Sequence, residues 1–471
     1  MMWRFKEYGD KIAALDDTGN AVTYTQLEEL SDIFRKFAHR KLIFHICRNA
    51  VGSFAGYAAM INAGAVPVMI AEDMDKALME NLWNVYHPDF IWVPSERQAQ
   101  FRDEGAVYQA YDYALVDVKE TPDKGEELYG ELALLLTTSG STGSPKLVRQ
   151  SYANIRANTE SIVQYLELDE TERPITTLPM NYTYGLSIIN SHLYVGATLL
   201  MTQYTLVQKE FWEFLKSQQA TSFGGVPYTY EMLKKLRYFR MELPSIRTMT
   251  QAGGKLTPEL HKEFAEYAQT AGKKFVVMYG QTEATARMAY LPADKALEKA
   301  GSMGIAIPGG HFDLIDAQGN IIEEPDTVGE LVYKGENVTL GYALSRSDLA
   351  KGDERGGRLE TGDMAKRDRD GYYYIVGRKK RFLKMFGKRV NMDEIDCLVK
   401  EKFDGIECAS TGVDDTMYIF VDNKEVINSV HGYVAEKIHI NSSAIRVKYI
   451  ASIPKNESGK TLYTKLEAYY D

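Results

Sequence analysis

The sequence predicts an α/β protein: a large N-terminal domain of layered sheets with helices, a β-rich subdomain, and a small α+β C-terminal domain. Three observations carry this. Short runs rich in Val, Ile and Leu alternate with longer amphipathic stretches up to about Gly301. Beyond Gly301, Gly and Asp punctuate short strands. A dense basic stretch, Arg378 to Arg381, then opens onto the remaining 91 residues, 381 to 471. Strands alternating with helices imply largely parallel sheets.

In chain order, the predicted strands begin with "KLIFHI" at 41–46, "FIWV" at 90–93 and "LALLLT" at 132–137. They continue with "ATLLMT" at 197–202 and "KFVVMY" at 274–279. Ser151 is a good N-cap for a helix in which Ile155, Ile162, Val163 and Leu166 recur at helical spacing. Asn49 to Ala71 runs 23 residues without a charge, which is long enough to test as a membrane span. Its glycines, Pro67 and the Ala63-Gly64-Ala65 break read instead as a buried helix, a turn and the strand "VPVMI". Ala317-Gln318-Gly319-Asn320 is a predicted hairpin turn. The domain boundary is expected at Gly377 to Lys380, giving domains 1–379 and 380–471.

The chain has 471 residues, 45% hydrophobic and 25% charged, as expected of a soluble globular protein with two or three folding units. A formal charge of −10 argues against nucleic acid or an anionic membrane as the main partner. Cys47, Cys397 and Cys408 are scattered without metal or CxxC spacing, and the N-terminus lacks the apolar run of a signal peptide. A reduced, cytoplasmic setting is expected.

The stretch "LLLTTSGSTGSPKLVRQS", 134–151, reads as strand, loop and helix, with the loop built to hold phosphate. Thr138, Ser139, Gly140, Ser141, Thr142, Gly143 and Lys146 supply backbone N–H groups, four hydroxyls and a cation. It is not a P-loop, which requires Gly, four residues, then Gly-Lys-Ser/Thr. Here Gly143 comes three residues after Gly140, and Lys146 lies between Pro145 and Leu147. A second decoy, Gly459-Lys460-Thr461, has Pro454 where the first glycine must stand.

"TTSGSTGSPK" resembles the phosphate-loop signature of the adenylate-forming superfamily, which holds acyl-CoA synthetases, adenylation domains of peptide synthetases and beetle luciferases. Further motifs stand in that family's order: "LPMNYTYGLS" (178–187), "QAGGKL" (251–256) and "YGQTEA" (279–284). "GELVYKGENVTLGY" (329–342), "ETGDMAKRDRDGYYYIVGRKKRFLK" (360–384) and "IPKNESGKTLYTKL" (453–466) complete the set. Leu147 departs from the pattern, replacing a glycine that commonly comes after Pro-Lys.

The resemblance implies a two-domain fold with a mobile C-terminal domain, and it implies roles. Lys460 would bridge acid and α-phosphate, Thr282 would bond the α-phosphate, and Glu283 would hold Mg²⁺. Gly253, Gly254 and Lys255 form the adenine loop; Tyr279 stacks, with Gly280 and Gln281 beside it. Asp363, assisted by Arg378, accepts from the ribose hydroxyls; Lys380 is the hinge, and Gly387 lets the pantetheine arm pass. Tyr182, Gly185, Gly225 and Tyr228 fall at the acid pocket. Relatives that activate amino acids place Asp where Gly185 stands. The expected substrate is therefore an uncharged, partly apolar or aromatic acid, for which Gly185 frees space.

The expected reaction is AMP-forming acid–thiol ligation using ATP and Mg²⁺, with CoA as the acceptor. A separate carrier protein's phosphopantetheine is the alternative, since the chain ends 11 residues after Lys460 with no carrier domain fused. A luciferase-like oxygenase and a non-catalytic binding protein are the readings from other classes. Lys460, Glu283 and Asp363 together disfavour the non-catalytic one.

Overall fold

The computed structural model describes residues 2–101, 105–118, 127–137, 146–386, 388–438, 440–455 and 461–470; for Lys380, Phe382, Lys384, Lys388 and Arg389 it describes the backbone alone. The chain divides into two compact units, Met1–Phe312 with Tyr333–Leu359, and Asp313–Val332 with Glu360–Asp471.

The first unit holds an eight-stranded and a nine-stranded sheet. Leu42–Cys47 pairs in parallel with both Val66–Ala71 and Phe90–Pro94, and Val66–Ala71 pairs in parallel with Leu132–Thr137. In the nine-stranded sheet, Ser222–Gly225, Thr248–Gln251 and Lys274–Gly280 are parallel neighbours. These strands are buried along nearly their whole length; Leu42–Cys47, Val66–Ala71 and Leu132–Thr137 read as mainly apolar runs, whereas Ser222–Gly225 and Thr248–Gln251 are built from small and polar residues.

The uncharged stretch forms the helix Val51–Ala63, in which every residue is buried. Its residues share one core with Trp92 and Leu134 from one sheet and with Ala13 and Leu199 from the other. The absence of charge reflects burial by protein on all sides. Among the described residues no helix is long and apolar enough to cross a membrane.

One expectation is corrected. No helix starts directly after Lys146: Leu147–Ser151 is a strand, antiparallel to Leu132–Thr137, and the helix Tyr152–Leu166 starts after it. All five strand residues are buried, and Leu147 pairs with both Thr137 and Ala343. Ser151 caps the helix as predicted, accepting from Asn154 N–H at 3.1 Å. Residues 138–145, between these two antiparallel strands in the chain, lie outside the described residues.

The second unit contains the antiparallel pair Arg358–Arg367 and Tyr373–Arg378, counted from Glu360 onward. It also contains a three-stranded sheet, Cys408–Val413, Thr416–Val421 and Ile445–Tyr449, with helices Met392–Lys402 and Ile427–Ile438. Ile395, Val399, Ile419, Val430 and Val434 share its core. The predicted turn at 317–320 is present: Asp316 Oδ1 accepts from Gln318 and Asn320 N–H, and Gly319 has φ +87°. The expected boundary at Gly377 to Lys380 lies inside this unit. Asn391 Nδ2 donates to Val376 O at 2.8 Å and Arg378 N–H to Asp393 Oδ2 at 3.1 Å, tying the strand Tyr373–Arg378 to the start of the helix Met392–Lys402.

Candidate active site

In the first unit the strand Lys274–Gly280 runs into a single tight turn, Thr282–Ala284. Gly280 is required there, because a Cβ would stand 1.7 Å from Ala286 O. Long-range bonds fix the turn. Asn337 Nδ2 donates to Ala284 O at 2.9 Å, Thr285 Oγ1 to Asn337 O at 2.7 Å, and Arg355 Nη1 to Glu283 O at 3.0 Å. Thr282 and Glu283 are therefore presented on a held backbone, the kind of support a reaction centre needs.

Glu283 Oε1 accepts from Tyr342 Oη at 2.8 Å, and Oε2 takes no hydrogen bond among the described residues. Lys146 Nζ lies 3.3 Å from the centroid of the Tyr342 ring, and the Arg355 guanidinium 4.7 Å from it. Burial, with the Glu283 charge beside it, pushes the Tyr342 phenol up to about 12. Arg149, fully buried, holds the strand carrying Tyr342: its Nε donates to Tyr342 O at 3.1 Å, its Nη2 to Leu340 O at 3.2 Å, and it pairs with Glu354.

Two cations and a carboxylate thus meet on one aromatic ring. Glu283 fits Mg²⁺, which is commonly held by one or two carboxylates together with phosphate oxygens and water. Among the described residues no group of three acidic, His or Cys side chains forms a metal cage. Lys146 and Glu283 were both predicted. Tyr342, Arg355 and Arg149 were missed, although Tyr342 ends the motif 329–342 and was available as a signal.

The stretches expected to form the adenine loop and the acid pocket also converge. Gly253 has φ +83°, and a Cβ there would lie 2.7 Å from Tyr182 Oη and 3.0 Å from Val226. Gln251 Nε2 donates to Gly254 O at 2.8 Å, and Lys255 is exposed. Gln281 Nε2 donates to Tyr279 Oη at 3.2 Å. Tyr182 and Tyr184 meet edge to face, centroids 6.4 Å apart.

Two pocket expectations change. A Cβ at Gly185 would stand 2.4 Å from Pro179 O, so the glycine makes room for the chain's own backbone and frees no space for substrate. Tyr228 is 61% exposed; the buried ring is Tyr230, which donates to Thr250 O at 2.7 Å. A Cβ at Gly225 would meet Thr229 and Tyr230.

In the second unit Asp363 and Arg378 are cross-strand partners, and Arg378 Nε meets the buried Asp363 Oδ1 at 2.7 Å. Lys380 sits in the tight turn Lys379–Arg381. Lys379 pairs with Glu330 at 2.6 Å, and buried Arg381 with Asp393 and Asp396 at 2.8 and 2.7 Å. Thr138, Ser139, Gly140, Ser141, Thr142, Gly143, Gly387 and Lys460 lie outside the described residues.

The protein is 27% identical over 342 residues to the oxalate–CoA ligase of Arabidopsis thaliana, a match spanning 70% of this chain and 65% of that enzyme's length. It is 24% identical over 474 residues to the 2-succinylbenzoate–CoA ligase of Bacillus cereus, spanning 96% and 94%. The fold matches that of o-succinylbenzoate coenzyme A synthetase from Bacillus subtilis solved with AMP, with a TM-score of 0.78, 19% identity, and 98% and 97% of the chains covered. The same synthetase solved with ATP and magnesium ion gives a TM-score of 0.77 at 19% identity over 98% of each chain. The family described as AMP-binding enzyme matches residues 2–343, the span that holds the Glu283–Tyr342–Lys146 cluster, and the chain belongs to that family.

Proposed function

We propose that this protein is an AMP-forming acid–thiol ligase with coenzyme A as acceptor. The observation that carries the reading is the Glu283–Tyr342 contact with Lys146 and Arg355 gathered on the same ring. In the first step a carboxylate oxygen attacks the α-phosphorus of ATP, the α–β P–O bond breaks, and pyrophosphate leaves. In the second a thiol sulfur attacks the acyl carbonyl, the bond to AMP breaks, and the thiol proton passes to solvent.

Joining two anions requires cations preorganised around the developing charge. Lys146 and Arg355 supply them in the first unit, and Glu283 is the side chain to hold Mg²⁺. When bound, the ion neutralises phosphate charge. Thr282 stands next to Glu283 on the held turn and would bond the α-phosphate. Gly253, Gly254 and Tyr279 would receive the adenine, and Asp363 with Arg378 the ribose hydroxyls. Lys460 is assigned the bridge between acid and α-phosphate, Lys380 the pivot between half-reactions, and domains 1–379 and 380–471 the two bodies that pivot.

CoA is favoured because the curated relatives above are named CoA ligases. A carrier protein's phosphopantetheine presents the same thiol and is the alternative acceptor. None of the three cysteines forms a disulfide, which suits a reducing cytoplasm.

ATP–pyrophosphate exchange across a panel of carboxylic acids, then thioester detection with CoA, tests the proposal. Lys460→Ala should lose adenylate formation by on the order of a hundredfold yet still pass presynthesised acyl-AMP to the thiol. Near-normal adenylate formation by that variant would overturn the role of Lys460, and absence of exchange with every acid would overturn the ligase reading.

A further inference from the structure

A guanidinium is seldom buried without a carboxylate to neutralise it, because desolvation of the ion is strongly unfavourable. Two buried arginines of this chain obey the rule, Arg149 with Glu354 and Arg381 with Asp393 and Asp396. Arg287 does not, although it is only 2% exposed. Its Nε donates to Ser187 Oγ at 3.1 Å, and its Nη1 to Tyr165 Oη at 3.0 Å and Met278 Sδ at 3.2 Å. The guanidinium carbon lies 5.3 Å from the centroid of the Tyr184 ring. Among the described residues no carboxylate pairs with Arg287, and its Nη2 has no hydrogen-bond partner.

A second polar atom in the same place is also unsatisfied. His192 is 3% exposed; its Nδ1 bonds Ile188 O at 2.8 Å and so carries the proton, while its Nε2 has no partner. Burial, reinforced by the Arg287 charge, holds this imidazole down to about 4 and therefore neutral at pH 7. It offers no countercharge. Arg287, His192, Ile188, Gly224 and Thr250 line one crevice. The crevice adjoins the acid-pocket residues: Tyr184 Oη bonds Thr250 Oγ1 at 2.8 Å, and a Cβ on Gly224 would stand 2.9 Å from that same Oη.

We infer that the acid activated by this protein carries a second anionic group, remote from the reacting carboxylate, and that Arg287 is the specificity-determining residue that pairs with it. The inference rests on the ligase reading and deepens it. It replaces the expectation of an uncharged acid. The residues around Gly185 carry no charge, but a buried cation stands on the strand Arg287–Tyr290, just beyond the Thr-Glu motif.

The test compares matched acids: α,ω-dicarboxylates, their monoamides, and monocarboxylates of the same length, with a sulfonate-bearing acid as a second anion type. The wild-type protein should favour dianionic acids in kcat/KM by about a hundredfold, chiefly through KM, as expected for a buried charge pair. Arg287→Met should collapse that ratio to within a few-fold, and Arg287→Lys should restore part of it. A dianionic acid should raise the Tm of the wild type but not of Arg287→Met, while ATP raises both and so reports a folded variant. If Arg287→Met does not fold, the wild-type ratio alone decides. Turnover of the neutral analogue as fast as its dianionic partner would overturn the inference while leaving the ligase reading intact. No exchange with any acid would overturn both.

Discussion

Tyr342 Oη donates to Glu283 Oε1 across 2.8 Å, joining two motifs 59 residues apart in the chain. The bond orients the carboxylate, and the ring gives Lys146 a face to rest on. Tyr342→Phe keeps the ring and removes the donor. A hydrogen bond to a charged group contributes about 1.5 kcal/mol, so kcat/KM for pyrophosphate exchange should fall roughly tenfold. Added Mg²⁺ should recover part of the loss if Glu283 holds the ion. Exchange titrated against Mg²⁺ reads both effects, and unchanged rates would remove Tyr342 from the site.

Arg149 and Glu354 form an asymmetric pair: the arginine side chain is fully buried and the glutamate half exposed. Arg149→Met abandons Glu354 and the carbonyls of Leu340, Tyr342 and Gly352. It should destabilise the first unit by about 3 kcal/mol. Glu354→Gln keeps an acceptor at a site open to solvent and should cost less than about 1 kcal/mol. Urea midpoints distinguish the two, and equal costs would contradict the asymmetry.

Local composition was enough to reveal strands that are apolar along their length because both faces are covered, as at Leu42–Cys47, but not Ser222–Gly225 or Thr248–Gln251, which are equally buried yet built from small and polar residues. The turn at 316–320 and the Ser151 cap were legible because their chemistry is local. The strand Leu147–Ser151 was not, since Arg149 and Gln150 look like surface residues. Arg149 is buried by partners about 200 positions away. The cluster on Tyr342 and the unpaired Arg287 were hidden for the same reason: long-range pairing leaves no periodic trace. Arg287 in "ATARMAYL" is a lone cation in an otherwise uncharged run, a weak signal that became readable only when its surroundings were known.

Gly185 supports a prediction about packing. A Cβ would strike Pro179 O at 2.4 Å and Leu178 Cβ at 3.2 Å, on a helix buried along nearly all its length. Gly185→Ala should therefore lower stability by about 1 to 3 kcal/mol. The ratio of kcat/KM for a short acid to that for a bulky one should not change. A shift in that ratio without a fall in Tm would return Gly185 to the pocket wall.

Lys380 lies between two tethered neighbours, Lys379 on Glu330 and Arg381 on Asp393 and Asp396. If the chain pivots there, the backbone of that single residue absorbs the change. Lys380→Pro fixes φ near −65°. Pyrophosphate exchange should persist within a few-fold while thioester release falls by on the order of a hundredfold or more. Equal loss in both half-reactions would argue against the pivot.

Buried histidines set an acid limit on stability. Burial lowers His45 to about 3 and His192 to about 4, and it lowers His261 as well, from an ordinary value of 6.5. His45 Nε2 meets Ser53 Oγ at 2.9 Å, but its Nδ1 has no partner among the described residues, so nothing there compensates a second proton. A folded-state value depressed below the unfolded one means that the unfolded chain binds protons first as the pH drops. The stabilisation is fully present above about 6.5 and is lost as the pH falls toward the folded value. Between pH 7 and 5, His45 and His192 should each remove on the order of 1 to 2 kcal/mol. His45→Gln cannot titrate, so its urea midpoint should fall less over that interval than the wild type's, by about that amount. Other groups titrate in both proteins and cancel in the comparison. Parallel pH profiles would show that His45 is not a source of the acid sensitivity.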